Sequence, residues 1–392
     1  MHIDFSPEQK AFQAELRAYF ARVVSDEVVE EIRKDSEGGG PLYRETLQRM
    51  GRDGYLGVGW PVEYGGQGRS PIEQWIFADE IQRVGFPLPF LTLNTVGPTI
   101  RRYGSDALKA EFLPKVLKGE VHFAIGYSEA EAGTDLASLK TRAVRDGDEW
   151  VINGSKMWTS LADYADYIWL AARTDPDAPK HRGISIFLVP TDAPGFSISP
   201  ITTMGMARTN ATFYEDVRVP DRYLVGGENN GWSLVTGQLN HERVSLMNSG
   251  PVLHLLGQVA EWARNTLTAT GQRVIDEAYV QANLARVEVK LEALRLMNWR
   301  QAWSATFEDL GPADSSSVKV YGSELFVETY RLLLEVLGHR AVLMDDSPGA
   351  VLRGRIHASY RNSLILTFGG GTNEIQRDIV AMAGLGLPHY KN

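Results

Sequence analysis

The chain contains no cysteine. That single absence excludes disulfides, thiolate nucleophiles and Cys-ligated metals. Eight histidines are present, but none forms HExxH or a paired spacing that suggests zinc. No apolar run approaches the length of a membrane-spanning helix. Cationic excess is missing too: the net charge is −9 and the pI about 5.5. An acidic chain has no general electrostatic footprint for nucleic acid or for an anionic membrane surface, although a local basic pocket for an anionic ligand is compatible with it. The opening residues, MHIDFSPEQKAFQAELRAYF, lack a basic stretch followed by an apolar core, so no signal peptide is expected and the expected compartment is the cytoplasm.

What is present is an ordinary soluble composition, 43% hydrophobic and 23% charged over 392 residues, long enough for two or three packed modules. Three zones follow one another. Residues 1–120 read as helical: Ser6 and Pro7 make a helix start, and Phe12, Leu16, Tyr19 and Phe20 fall on one face. Further helices are predicted near 41–54, 71–84 and 105–118. Residues 121–230 read as a compact antiparallel β-domain. Asp146-Gly147 and Asn153-Gly154 are hairpin signals, and YIWLAAR, GISIFLVP, FSISPI and ATFYEDVRVP are short runs bounded by turns. Residues 231–392 return to helix, over 232–248, 251–270, 277–308, 314–338 and a final element in which Asn373 as N-cap and Gln376 suggest a capping box. The fold class is therefore α+β, in the order helices, sheet, helix bundle.

Three stretches carry candidate chemistry. In YSEAEAGTDLASLKTRA, at 127–143, Ser128, Gly133 and Thr134 offer hydroxyls and backbone N–H groups in a turn of little bulk, which suits a phosphate or a flavin edge. Taken alone, they read first as a polar turn opening a β-domain. In KMWTS, at 156–160, Trp158 on a strand could stack on an aromatic cofactor while Ser160 donates to it; alone, Trp158 reads as a core residue. FGGGTNEIQR, at 368–377, is a glycine turn with no acid or base among its first four residues.

Together these motifs, in this order and across nearly the whole chain, resemble the acyl-CoA dehydrogenase family. The resemblance implies an N-terminal helical domain, a middle β-barrel-like domain, a C-terminal four-helix bundle, and FAD as cofactor. It implies that Tyr127, Ser128, Gly133 and Thr134 contact the flavin and the pantetheine. Trp158 flanks the isoalloxazine, Ser160 lies near flavin N5, and Thr372, Asn373 and Glu374 close over the cofactor.

Many members of that family carry a catalytic glutamate in this C-terminal turn, within Tyr-Glu-Gly-Thr. The corresponding run here is Gly369-Gly370-Gly371-Thr372, and Gly370 has no side chain with which to remove a proton. QLNHERVSLMNSG, at 238–250, resembles the family subset that includes the isovaleryl type, whose base sits on the preceding long helix. That assigns the base to Glu242. Arg243 orients the site or the CoA, or serves as an ordinary ion-pair partner. Gly370 keeps its N–H, so it can still donate to the thioester oxygen.

Two stretches through which a family member completes its neighbour's site depart from the pattern. TGQRVIDEAYV has no Phe-Gly, and EVLGHRA offers Glu335 and the single Gly338. The overall pattern is similar to the actinobacterial acyl-CoA dehydrogenases of sterol side-chain degradation, typically heterotetramers of two related subunits. The resemblance implies a steroid acyl-CoA substrate, a related subunit or a second copy as partner, and an electron-transfer flavoprotein as acceptor. The competing readings are a general branched- or medium-chain acyl-CoA dehydrogenase, an acyl-CoA oxidase, and a non-catalytic structural subunit.

Overall fold

The protein is described from a computed structural model covering residues 3–35, 39–205, 207–245, 247–307, 311–345 and 347–388; the side chains of 35 and 239–245 lie outside that description. The first zone comprises α1 (Pro7–Val23), α2 (Asp26–Asp35), α3 (Pro41–Arg52), α4 (Pro71–Arg83), α5 (Gly97–Tyr103) and α6 (Asp106–Leu117). α1 starts as its sequence predicts. The Ser6 hydroxyl accepts from the Gln9 N–H, the Gln9 side chain accepts from the Ser6 N–H, and Pro7 occupies the first turn. Phe12, Leu16, Tyr19 and Phe20 are all buried. Each such side chain contributes about 2 kcal/mol by leaving water. α1 is locked onto α4 by polar contacts as well: Arg17 and Gln13 both donate to the buried Glu80 carboxylate, at 2.7–2.8 Å.

The middle zone is one sheet, built from β1 (Phe123–Gly126), β2 (Arg142–Asp146), β3 (Glu149–Lys156), β4 (Tyr167–Arg173), β5 (Ile184–Pro190), β6 (Phe196–Thr202), β7 (Arg208–Pro220) and β8 (Leu224–Val225). The strand order is β6-β7-β3-β2-β4-β5-β8, with β1 beside β4. The expectation of an antiparallel domain needs correcting at β4, which pairs in parallel both with β2, at Arg142↔Arg173, and with β1. β1 runs parallel to β4 from Phe123↔Tyr167 to Gly126↔Leu170, because a long excursion separates them and no hairpin joins them.

The two hairpin signals part company. Asp146-Gly147 makes the β2–β3 turn. Asn153-Gly154 lies inside β3, where the pairing with β7 slips by a residue between Ile152 and Gly154. It is a bulge. Gly154, at φ 146°, takes a conformation costly for other residues. The Asn153 amide seals the gap by exchanging hydrogen bonds with Asp216 opposite, at 2.9 and 3.0 Å.

The third zone holds α7 (Gly231–Ser245), α8 (Gly250–Asn265), α9 (Ala278–Ser304), α10 (Pro312–Leu337), α11 (Arg355–Ser363) and α12 (Asn373–Ile379). α8 is shorter than its pattern predicts; the chain turns out at Thr266 and forms a small bridge between Leu267 and Arg273. α10 is the central rod, packing on α7, α8, α9, α11 and α12. α7 packs on α10, on β5 and on the segment Leu91–Val96, so it stands where the three zones meet. Between α7 and α8, the Met247 carbonyl accepts from Asn298 on α9 at 2.9 Å, and Ser249 donates to the buried Asp79 on α4 at 2.7 Å. No helix among the described residues is long and apolar enough to cross a membrane.

Candidate active site

The first two motifs of the β-domain meet directly. The Met157 N–H donates to the Ser128 carbonyl at 2.8 Å, so the 127–134 and 157–160 turns lie side by side. Between Ser128 and Gly133 the chain folds back on itself, with Glu129 and Ala132 exchanging N–H···O bonds at 3.0 and 3.1 Å. Gly133 and Thr134 are left exposed beyond this hairpin.

Beneath it sits Lys156, fully buried. Its ammonium donates to the Tyr127 carbonyl at 3.0 Å and to Glu129 Oε1 at 2.8 Å. Burial pushes the Lys156 ammonium down to about 8, against the pull of Glu129. Burial alone would raise the Glu129 carboxyl; the Lys156 charge and the N–H groups of Thr141 and Lys140 override it and hold the group below the usual carboxylate range.

Tyr127 is buried, and its hydroxyl is turned inward. It donates to Gln238 Oε1 on α7 and accepts from Trp169 Nε1 at 2.9 Å. The tyrosine therefore couples sheet to helix through its side chain. Gln238 is itself 2% exposed, and its buried Nε2 has no partner among the described residues.

The sequence predicts KMWTS on a strand; β3 in fact ends at Lys156. Trp158 takes φ 64°, a left-handed conformation unusual for a bulky residue, and the residue is 56% exposed. Leu161 is also left-handed, at φ 64°. The turn is held against β7: the Thr159 N–H donates to the Asn210 carbonyl at 2.9 Å, and the Ser160 and Thr209 hydroxyls are 3.2 Å apart. A core tryptophan is thereby ruled out for Trp158, which presents an open aromatic face.

The glycine turn is built differently. Gly370 and Gly371 have φ 69° and 99°, both in the region that favours glycine. The helix that follows is capped by Thr372, whose hydroxyl accepts from the Ile375 N–H at 3.3 Å. The predicted Asn373 cap is displaced by one residue because Asn373 is needed elsewhere. It is 4% exposed, and its Oδ1 accepts from Lys319 at 2.8 Å and from Ser323 at 3.2 Å. Gln376 completes no capping box; it is buried and accepts from Ser316 at 2.8 Å. Glu374 is exposed.

Glu242 and Arg243 lie in α7, one turn beyond Gln238; their side chains fall outside the described residues. Glu335 accepts from Asn283 at 3.0 Å and pairs with Arg331, keeping a neutralised carboxylate near the C-terminal end of α10. A groove of about 580 Å3 lined by Arg83, Leu253, His254, Gln258, Trp262 and Leu352 shares no residue with any of these turns.

Sequence reasoning missed both buried lysines and Gln238. Lys319 left a trace: in SSSVKVYGSELF it shares a helical face with Ser316, Ser323 and Phe326, a cation on the buried side. Lys156 left none, since a lysine closing a strand is usually solvated.

The comparisons agree with this architecture. Residues 6–120, 124–217 and 229–385 match, in turn, the N-terminal, middle and C-terminal domains of acyl-CoA dehydrogenase. The chain is 56% identical to acyl-CoA dehydrogenase FadE26 of Mycobacterium tuberculosis, over 99% of both chains. Among solved structures it superposes on a chain of the ChsE4-ChsE5 complex of Mycobacterium tuberculosis (56% identity, TM-score 0.91). It also superposes on a chain of the Tcur3481-Tcur3483 steroid ACAD (49% identity, TM-score 0.92). Each of these two matches covers 100% of both chains. With its three domains in place and its relatives this near, the chain belongs to the acyl-CoA dehydrogenase family, a family of flavin-dependent oxidoreductases.

Proposed function

We propose that this chain is the base-carrying subunit of an FAD-dependent dehydrogenase that converts a steroid side-chain CoA thioester to its trans-2-enoyl-CoA. The observation that carries the steroid assignment is the 49% identity, over the whole chain, to an enzyme described as a steroid ACAD. The 56% match to one chain of a two-protein complex supports an unlike, related subunit as partner.

The residues present fit FAD. A flat ring system needs an aromatic face and hydroxyls at its rim, and Trp158 stands exposed on a strained turn beside Ser160 and Ser128. Gly133 has nothing within 4 Å of where a Cβ would be, leaving room for close approach. When bound, FAD supplies N5 as acceptor of the hydride from Cβ.

The chain's own residues handle the rest. Glu242 takes the α-proton from the opposite face of the acyl chain. Two C–H bonds break, a C=C bond forms, and the substrate loses two electrons, which leave for an electron-transfer flavoprotein. Gly370, in place of the usual base, offers its N–H to the thioester oxygen as negative charge develops there. Thr372 and Glu374 close the cofactor side, with Asn373 shaping their turn. Thr134 and Arg243 bind the CoA portion. The departures at residues 270–280 and at Glu335 support completion of the flavin site by the unlike partner.

Flavin content per chain tests the assembly: full occupancy is expected on co-expression with the partner and a deficit in the chain alone. Glu242→Gln tests the chemistry. Loss of proton abstraction costs about 10²- to 10⁴-fold in kcat. Turnover retained in the Gln variant removes Glu242 as base and favours the structural-subunit reading. A panel of steroid, branched and medium-chain acyl-CoA esters ranks the substrates, and peroxide formed without an added carrier would mark an oxidase.

A further inference from the structure

A run of three glycines has no side chains with which to hold its own shape, and glycine loses more backbone freedom on ordering than any other residue. The Gly369 N–H donates to the Ile365 carbonyl at 2.7 Å, and the side-chain hold comes from α10. Ser316, Lys319 and Ser323 lie at positions i, i+3 and i+7, on one face of that helix. All three are polar and fully buried. All three reach the same short segment. Ser316 donates to Gln376 at 2.8 Å, Lys319 donates to the Gly371 carbonyl at 2.7 Å and to Asn373 Oδ1 at 2.8 Å, and Ser323 exchanges bonds with the Asn373 amide at 3.0 and 3.2 Å. Stability alone is poorly served by this arrangement. A buried ammonium carries a large desolvation cost, and well-packed apolar residues in such places are often as stable or more so. What the stripe gives is a fixed path for a turn that would otherwise have many.

We infer that Lys319 is a positioning residue for dehydrogenation: docked on the Gly371 carbonyl and the Asn373 side chain, it sets the direction of the glycine turn's backbone N–H groups toward the substrate thioester. This rests on the reading of the turn as the thioester-binding element. The lysine touches neither substrate nor flavin and acts through the turn.

The test is Lys319→Met in the flavin-loaded enzyme co-expressed with its partner. Three readouts are taken: flavin content, steady-state kinetics, and the long-wavelength absorbance that appears when a 3-thia-acyl-CoA binds against the flavin. Flavin content near wild type is expected, with KM within about threefold and kcat lower by about a hundredfold, as for a misplaced reacting group. The long-wavelength band should weaken in parallel. A purely structural lysine would lower the melting temperature and leave both kcat and the band of the folded enzyme intact; that result overturns the inference. So does a loss of kcat that excess FAD restores in full. If Lys319→Met does not fold, Asn373→Ala decides, since it removes one of the two acceptors: a kcat-only loss supports the inference and unchanged kcat overturns it. Glu242→Gln, measured alongside, separates the two assignments. An inactive Glu242→Gln with a wild-type-like Lys319→Met sinks the positioning role alone. The reverse pattern sinks only the base.

Discussion

Two turns in this molecule each rest on a fully buried lysine, and the two lysines solve different problems. Under the 127–134 turn, Lys156 is matched by Glu129, so the pair is charge-balanced and holds a hairpin that is already closed by its own backbone bonds. Under the glycine turn, Lys319 reaches a carbonyl and an amide of a segment whose two left-handed glycines contribute no side-chain contacts. The first lysine stabilises a charge that is already there. The second, with Ser316 and Ser323 beside it, gives direction to a backbone that carries no side chains of its own at three successive positions. A buried cation therefore has no single role: what its partners are decides whether stability or geometry depends on it.

The comparison breaks most easily at Lys156. Lys156→Met strands the Glu129 carboxylate, whose side chain is 11% exposed, without its cation, and removing one member of a buried pair costs about 3 kcal/mol or more. Urea unfolding should show this loss, and the double variant Lys156→Met/Glu129→Leu should recover most of it. A single variant as stable as wild type would mean that the pair is not what holds the hairpin. A smaller effect is expected one residue from the hairpin. Tyr127→Phe leaves Gln238 Oε1 and Trp169 Nε1 without their shared partner, which costs about 2 kcal/mol for buried polar groups. Because Gln238 is one turn from Glu242, the same variant should also lower kcat if Tyr127 sets the position of α7. Unchanged kcat at reduced stability would confine Tyr127 to packing.

The order of elements was legible because it rests on period and punctuation. Phe12, Leu16, Tyr19 and Phe20 recur at helical spacing, and the short β-branched runs are bounded by turns. What sequence alone misassigned depended on partners distant in the chain. Asn153-Gly154 looks like a turn until Asp216, on another strand, shows it to be a bulge. Asn373 looks like a cap until Lys319 and Ser323 claim its amide, which passes the cap to Thr372. Trp158 looks like a strand residue until β3 stops short of it and its backbone turns left-handed. At the candidate site, the roles of Trp158, Ser160 and the glycine turn came from family resemblance. The two lysines beneath the turns came only from the fold, because burial of a lysine is decided by what packs over it.

The finest contrast between the turns lies in their glycines. Gly371 holds φ 99°, whereas Gly133 lies outside the left-handed region and has open space where a methyl group would go. Gly371→Ala forces a Cβ into a backbone conformation that costs about 1–2 kcal/mol, so stability should fall by that order. Gly133→Ala should leave stability within about 0.5 kcal/mol, as surface changes do. Its effect should appear only with flavin, as a weaker FAD affinity measured by fluorescence titration, since the added methyl stands where close approach is proposed. The two substitutions thus read different quantities. Gly371 reports on the shape of the polypeptide, and Gly133 on the space beside it. If Gly133→Ala binds flavin as tightly as wild type, the 133–134 edge faces solvent and the cofactor lies against Trp158 alone. If Gly371→Ala costs no stability, the turn has a second conformation open to it, and Lys319 has less to hold than its hydrogen bonds suggest.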